Sequence, residues 1–203
     1  GTAWQYLWLV PHDVEGLKEC FGSREIMLSK LDSLFTASSE IIGEVASSDI
    51  TGLIGQYAHG NEPGHHTIYL YTMLGEPWKA ADRIREVCST LYFDAEAGLS
   101  GNEDVGQMSA WYILSSLGFY EVEPAGGRYW FGTPLFDKAE IDVPAGVFTV
   151  VADNNSAENK YIQRVWLNGK EYNEAWISHK DIMAGGELRF EMGNTPKCWY
   201  EVK

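Results

Sequence analysis

Residues 105–127 read VGQMSAWYILSSLGFYEVEPAGG, and the texture of the chain changes within them. Met108, Trp111, Tyr112 and Leu114 recur at helical spacing, which predicts a helix from about Val105 to Leu117. Gly118 supplies its C-terminal stop. From about Gly126 onward, Pro, Gly and Asn punctuate short alternating stretches, as in strands joined by turns.

Upstream of this switch the pattern is helical. Ser23 is placed as an N-cap, and Met27, Leu28, Leu31, Leu34 and Phe35 follow on one face. A helix is expected after Pro63, ending at Gly75. Another starts near Pro77, with Trp78, Ala81, Ile84, Val87, Cys88 and Leu91 as its apolar stripe. Downstream, Phe148–Val151 and Glu187–Glu191 read as strands. Val165–Leu167, Asn168-Gly169 and Lys170–Tyr172 read as a hairpin, because Asn-Gly fits a type I′ turn. Helices first and strands second, without βαβ alternation, predict an α+β chain. The boundary is placed at 126, with helices in 1–126 and a small antiparallel β-rich region in 127–203.

The 203 residues are 45% hydrophobic, enough to build a core. A net charge of −14 with no basic patch argues against nucleic acid as a partner. Eight Trp and eleven Tyr offer apolar faces with polar handles, suited to sugars or to a core. Cys20, Cys88 and Cys198 form no CxxC and are expected to pack as small hydrophobes. No apolar run is long enough to insert into a membrane. The opening GTAWQYLWLVPHD lacks the features of a signal peptide and reads as the interior of a longer protein.

Two glycine-rich junctions carry carboxylates: His59-Gly60-Asn61-Glu62-Pro63-Gly64-His65-His66 and Gly101-Asn102-Glu103-Asp104-Val105-Gly106-Gln107. Glycosidic bond cleavage uses two carboxyl groups, one to protonate the leaving oxygen and one to activate water or attack. Asp104 also suits an N-cap, with Gln107 three residues on as in a capping box. Glu62 would have to stay protonated as an acid, against the pull of a following helix, so burial or neighbouring carboxylates would have to win. His59, His65 and His66 lack HExxH spacing, and Pro63 interrupts the helix a zinc motif needs. A third segment holds Trp4, Tyr6, His12 and Asp13; Asp13 is either a helix cap or a sugar ligand.

Four stretches together resemble glycoside hydrolase family 92, the bacterial exo-α-mannosidases: Trp4–Asp13 (WQYLWLVPHD), Gly52–His66 (GLIGQYAHGNEPGHH), Gly98–Tyr112 (GLSGNEDVGQMSAWY) and Gly132–Lys138 (GTPLFDK). The resemblance implies calcium-dependent, inverting hydrolysis of terminal α-linked mannose, most simply α-1,2. It assigns Glu62 as general acid and Asp104 as general base, roughly 6.5–9.5 Å apart to admit water. Trp4, Tyr6, His12, Asp13, His59, Asn61, His65 and His66 become substrate contacts. Asn61, Asn102 and Glu103 become the calcium ligands, chosen for oxygen chemistry and proximity. Some members carry a second Asp where Asn102 stands, and serine is commoner where Gly64 stands. The resemblance covers only the C-terminal part of such enzymes: the later helices of an (α/α)6 barrel, then strands. The missing N-terminal part would be a partner, mannose-containing glycans the substrate, and the periplasm or cell surface the location. An isolated chain would then be inactive. The other readings are an inverting (α/α)6 glucosidase, a non-catalytic carbohydrate-binding module and a structural fragment.

Overall fold

A computed structural model describes residues 1–42 and 47–202. The chain is α+β and divides into two compact units, residues 1–67 with 86–111, and residues 68–85 with 112–203.

The first unit opens with α1 (Ala3–Tyr6), α2 (Val14–Phe21) and α3 (Arg24–Thr36). Asp13 caps α2 by accepting from the Gly16 N–H at 2.9 Å, and Gly22 ends it in the left-handed region. Ser23 caps α3 through the Ile26 N–H, as expected. Met27, Leu28, Leu31, Leu34 and Phe35 are all buried, so the predicted stripe is the core face of α3. Trp8 stacks on Phe21 at 5.7 Å and is 1% exposed. Burying such side chains contributes about 1.5–3 kcal/mol each.

A minimal hairpin follows, β1 (Leu53–Ile54) against β2 (Tyr57–Ala58). Its turn is locked to the end of α3, where the Gln56 N–H donates to Leu34 O at 2.7 Å. A Cβ at Gly55 would lie 2.4 Å from that carbonyl, so only glycine allows the approach. The hairpin delivers residues 59–66 to the site.

The helix expected after Pro63 is broken into two 3-10 turns, Glu62–Gly64 and Thr67–Tyr69, and the short α4 (Leu70–Met73). Next come α5 (Pro77–Thr90) and α6 (Gln107–Leu117). Of the predicted α5 stripe, Ala81, Ile84, Val87 and Cys88 are buried, and Ala80 joins them. Cys20 departs from its expected packing: it is exposed near the end of α2.

The second unit holds the remaining strands: β3 (Phe119–Glu121), β4 (Arg128–Phe131), β5 (Lys138–Val143), β6 (Gly146–Asp153), β7 (Tyr161–Leu167), β8 (Lys170–Glu171), β9 (Trp176–Ser178) and β10 (Gly186–Gly193), with α7 (His179–Met183) before the last. They form a five-stranded sheet, β5-β6-β10-β7-β8, and a three-stranded one, β3-β4-β9. Phe148, Val150 and Ala152 of β6 and Leu188, Phe190 and Met192 of β10 point to one side, as the period of two requires. They share a core with Phe119, Phe131 and Ile177 of the smaller sheet, where Phe131 meets Phe190 edge-on at 5.2 Å.

The predicted hairpin is β7–β8, with Asn168 at φ 52° and Gly169 at φ 76°, as a type I′ turn needs. The larger sheet is mixed, not antiparallel, because β10 pairs in parallel with β6. The intervening β7, β8, β9 and α7 supply the long crossover that parallel pairing demands.

Candidate active site

All the candidate site residues lie in the first unit. The frame is a set of buried rings. Tyr57 Oη is 2.9 Å from His59 Nδ1, and His59 Nε2 is 2.7 Å from Tyr92 Oη. Tyr92 donates its hydroxyl proton to Met108 O at 3.1 Å. His59 must therefore donate from Nε2 and accept from Tyr57 on Nδ1, which fixes one neutral tautomer. Burial, reinforced by His65, pushes its pKa down to about 2.

His65 donates from Nε2 to His59 O at 2.9 Å and accepts on Nδ1 from Gln107 Nε2 at 3.1 Å. Burial lowers its pKa to about 4. Its own carbonyl accepts from Trp111 Nε1 at 3.1 Å. His66 donates to Trp8 O at 2.7 Å and is likewise held neutral by burial. The three histidines thus spend their ring nitrogens on holding loops together. These tertiary bonds also explain why no regular helix forms after Pro63.

Glu62 begins the 3-10 turn behind this frame and is half-buried. Its carboxyl is close enough to that of Asp104 for the two to interact. Hydrogen bonding with Asp104, then burial, then the negative charges of Asp104 and Asp49 raise its pKa above the ordinary value, against a lowering backbone hydrogen bond. A neighbouring carboxylate is what keeps a proton there.

Asp104 is exposed and sits in the left-handed region at φ 49°, followed by Val105 at 56° and Gly106 at 91°. Three such residues in a row, one of them β-branched, delay the helix to Gln107 and store strain at this loop. The cap of α6 is Glu103, whose two carboxylate oxygens take the Ser109 N–H at 3.0 Å and the Ser109 hydroxyl at 2.9 Å. The capping box at Asp104 and Gln107 is therefore corrected. Gln107 turns its amide to His65, and the Asp104 carboxyl is left to meet Glu62.

Trp4 in α1 lies half-buried under Lys30 Nζ, 3.8 Å from its ring centre. Tyr6 is exposed and lines a cavity of ≈ 80 Å³ with Trp8, Leu9, Tyr57, Asn61 and Pro63. His12 is exposed, and its neighbour Asp13 is engaged as the α2 cap. The structure thus brings Tyr6 to Asn61, and Glu62 to Asp104. Tyr57 and Trp111, inside two of the family-like stretches, complete the site with Asp49 and Tyr92, which carry no motif that would have marked them.

Calcium takes about 6–8 oxygen ligands. Both oxygens of Glu103 serve Ser109, and Asn102 is exposed. Among the described residues, no three His, Cys, Asp or Glu side chains gather as a metal group. Asn61 and Asn102 can offer amide oxygens, and Glu103 a carboxylate that already accepts from Ser109.

The catalytic-domain model of glycosyl hydrolase family 92 matches residues 1–194. The chain belongs to glycosyl hydrolase family 92. Within the family, the chain is 38% identical to the α-mannosidase BT3965 of Bacteroides thetaiotaomicron, solved with mannoimidazole, at a TM-score of 0.90. That match covers 99% of this chain and 27% of the other. The inverting mannosidase BT2199 of the same organism is 37% identical at a TM-score of 0.84, over 100% of this chain and 29% of that one. An uncharacterized secreted glycosidase of Arthroderma benhamiae is 29% identical over 200 residues, 97% of this chain and 24% of that protein. This family 92 chain therefore spans about a quarter of the length of such relatives.

Proposed function

We propose that this chain forms part of an enzyme that removes terminal α-linked mannose, most simply α-1,2-linked, with inversion. The carrying observation is the Glu62–Asp104 carboxyl pair in a family 92 chain, with one carboxyl biased to keep its proton. Glu62 gives a proton to the leaving oxygen. Asp104 takes one from the water that attacks the anomeric carbon from the opposite face. The bound sugar and its water sit between the two groups. Trp4, Tyr6, His12, Asp13 and Asn61 are proposed around the sugar, with His59, His65 and His66 fixing the loops beneath.

Calcium dependence belongs to this proposal; bound calcium would supply Lewis-acid polarisation of sugar hydroxyls. Residues 1–126 are proposed as later helices of an (α/α)6 barrel and 127–203 as a C-terminal strand region. The rest of the barrel would come from the length this chain does not span, and the isolated chain would be inactive. No helix among the described residues is long and apolar enough to cross a membrane. A periplasmic or extracellular location is proposed from the secreted relative.

The electrostatic coupling of the two carboxyls favours a second reading, in which Glu62 joins Asn61 as an oxygen donor to a cation and another residue is the acid. Glu62→Gln in the natural-length protein separates them. A missing acid is bypassed by a leaving group that needs no proton. Near-normal turnover of dinitrophenyl α-mannoside with lost turnover of α-1,2-mannobiose supports the acid role. Loss on both substrates, with weakened calcium binding, supports the second reading.

A further inference from the structure

We infer that Gly60 and Gly101 are positioning residues, forming a backbone-to-backbone clamp that sets the Glu62 carboxyl against that of Asp104. This rests on the reading of those carboxyls as working groups.

Three backbones meet at the clamp. The Gly60 N–H donates to Thr51 O and the His59 N–H to Gly52 O, both at 3.1 Å. A Cβ on Gly60 would lie 1.9 Å from Thr51 Oγ1 and 2.4 Å from Ser100 O. A Cβ on Gly101, which has φ +96°, would lie 2.9 Å from both Gly60 O and Thr51 Oγ1. Gly52 closes the third side, where a Cβ would sit 2.8 Å from Ser100 Cβ and 3.2 Å from Gly60 N. Ser100 O and Gly60 O belong to the backbone and cannot swing aside as a long side chain can, so a methyl group on Gly60 or Gly101 has to part these chain segments.

Glu62 follows Gly60 by two residues, and Asp104 follows Gly101 by three. Parting residues 60 and 101 therefore moves one carboxyl away from the other. Further ties between the loops, Gln107 Nε2 to His65 Nδ1 and Trp111 Nε1 to His65 O, lie beyond both carboxyls. Gly64 provides the contrast within the same loop. Its Cβ would meet only Ala58 O at 3.6 Å and Tyr57 Cε2 at 3.7 Å, ordinary contacts.

The test is kinetics of the natural-length protein on α-1,2-mannobiose. Gly60→Ala is expected to lower kcat about 10- to 100-fold with KM within about twofold, as a displacement near 1 Å does. Gly64→Ala is expected to stay within about twofold. In a Glu62→Gln background, Gly60→Ala is expected to add less than about twofold, because it acts through Glu62. If Gly60→Ala fails to fold, Gly101→Ala, with milder contacts, is read in the same design. An unchanged kcat, or a full additional loss in the Glu62→Gln background, overturns the clamp. An unimpaired Glu62→Gln variant instead rejects the functional reading, and the clamp with it, whatever Gly60→Ala does.

Discussion

At Glu62 the ordinary carboxyl pKa is raised chiefly by the hydrogen bond to Asp104, so the proton is held to higher pH than usual. Asp104→Asn removes a like charge and is expected to lower the Glu62 pKa, measured by carboxyl NMR titration; an unmoved titration would break the pairing. The histidines act in the opposite sense. His65 titrates at about 4 when folded, against an ordinary 6.5. The unfolded chain binds the proton first, so stability rises with pH between those values and is lost on acidification through them. The slope is about 1.4 kcal/mol per pH unit for such a group. Denaturant unfolding at pH 7 and pH 5 should show it, and His65→Gln should reduce the slope, with buried His59 and His66 keeping the rest. The pair Glu62 and Asp104 was legible as two carboxylates in glycine-rich loops. Their coupling was not, because the positive φ angles at 104–106 are invisible in the residue types Asp and Val. For the same reason the cap was read at Asp104, one residue after Glu103, which provides it.

The elements were legible where local chemistry decides them. Ser23 and Asp13 act through bonds to neighbours in sequence and Asn168-Gly169 through its own backbone angles, and each stands where expected. The parallel β6–β10 pair and the broken segment after Pro63 depend on partners far along the chain. The short strands β3, β4 and β9 carry too few residues to show alternation. Glu103→Ala should cost about 1 kcal/mol by uncapping α6. A calorimetric calcium titration of that variant should match the parent, since both its oxygens already serve Ser109. Gly169→Ala should cost about 1–2 kcal/mol through its left-handed φ alone, as nothing lies within 4 Å of its Cβ. Thermal unfolding reads both. Phe190→Ala, in the core of the second unit, should cost about 3–5 kcal/mol on the same scale.

At the scale of the molecule, α+β organisation and family 92 membership were readable from four ordered stretches and the switch in texture near Gly126. The division into two compact units was not, because each is assembled from two separated stretches of chain. The central claim is chemical: a family 92 carboxyl pair cleaves α-mannosides by direct displacement with water. Proton NMR of α-1,2-mannobiose, incubated with the natural-length protein before and after adding a calcium chelator, tests it most directly. The account predicts β-mannose as the first product and no release once the chelator is present. α-Mannose appearing first would contradict inversion and the roles given to Glu62 and Asp104, and undiminished release in chelator would contradict calcium dependence.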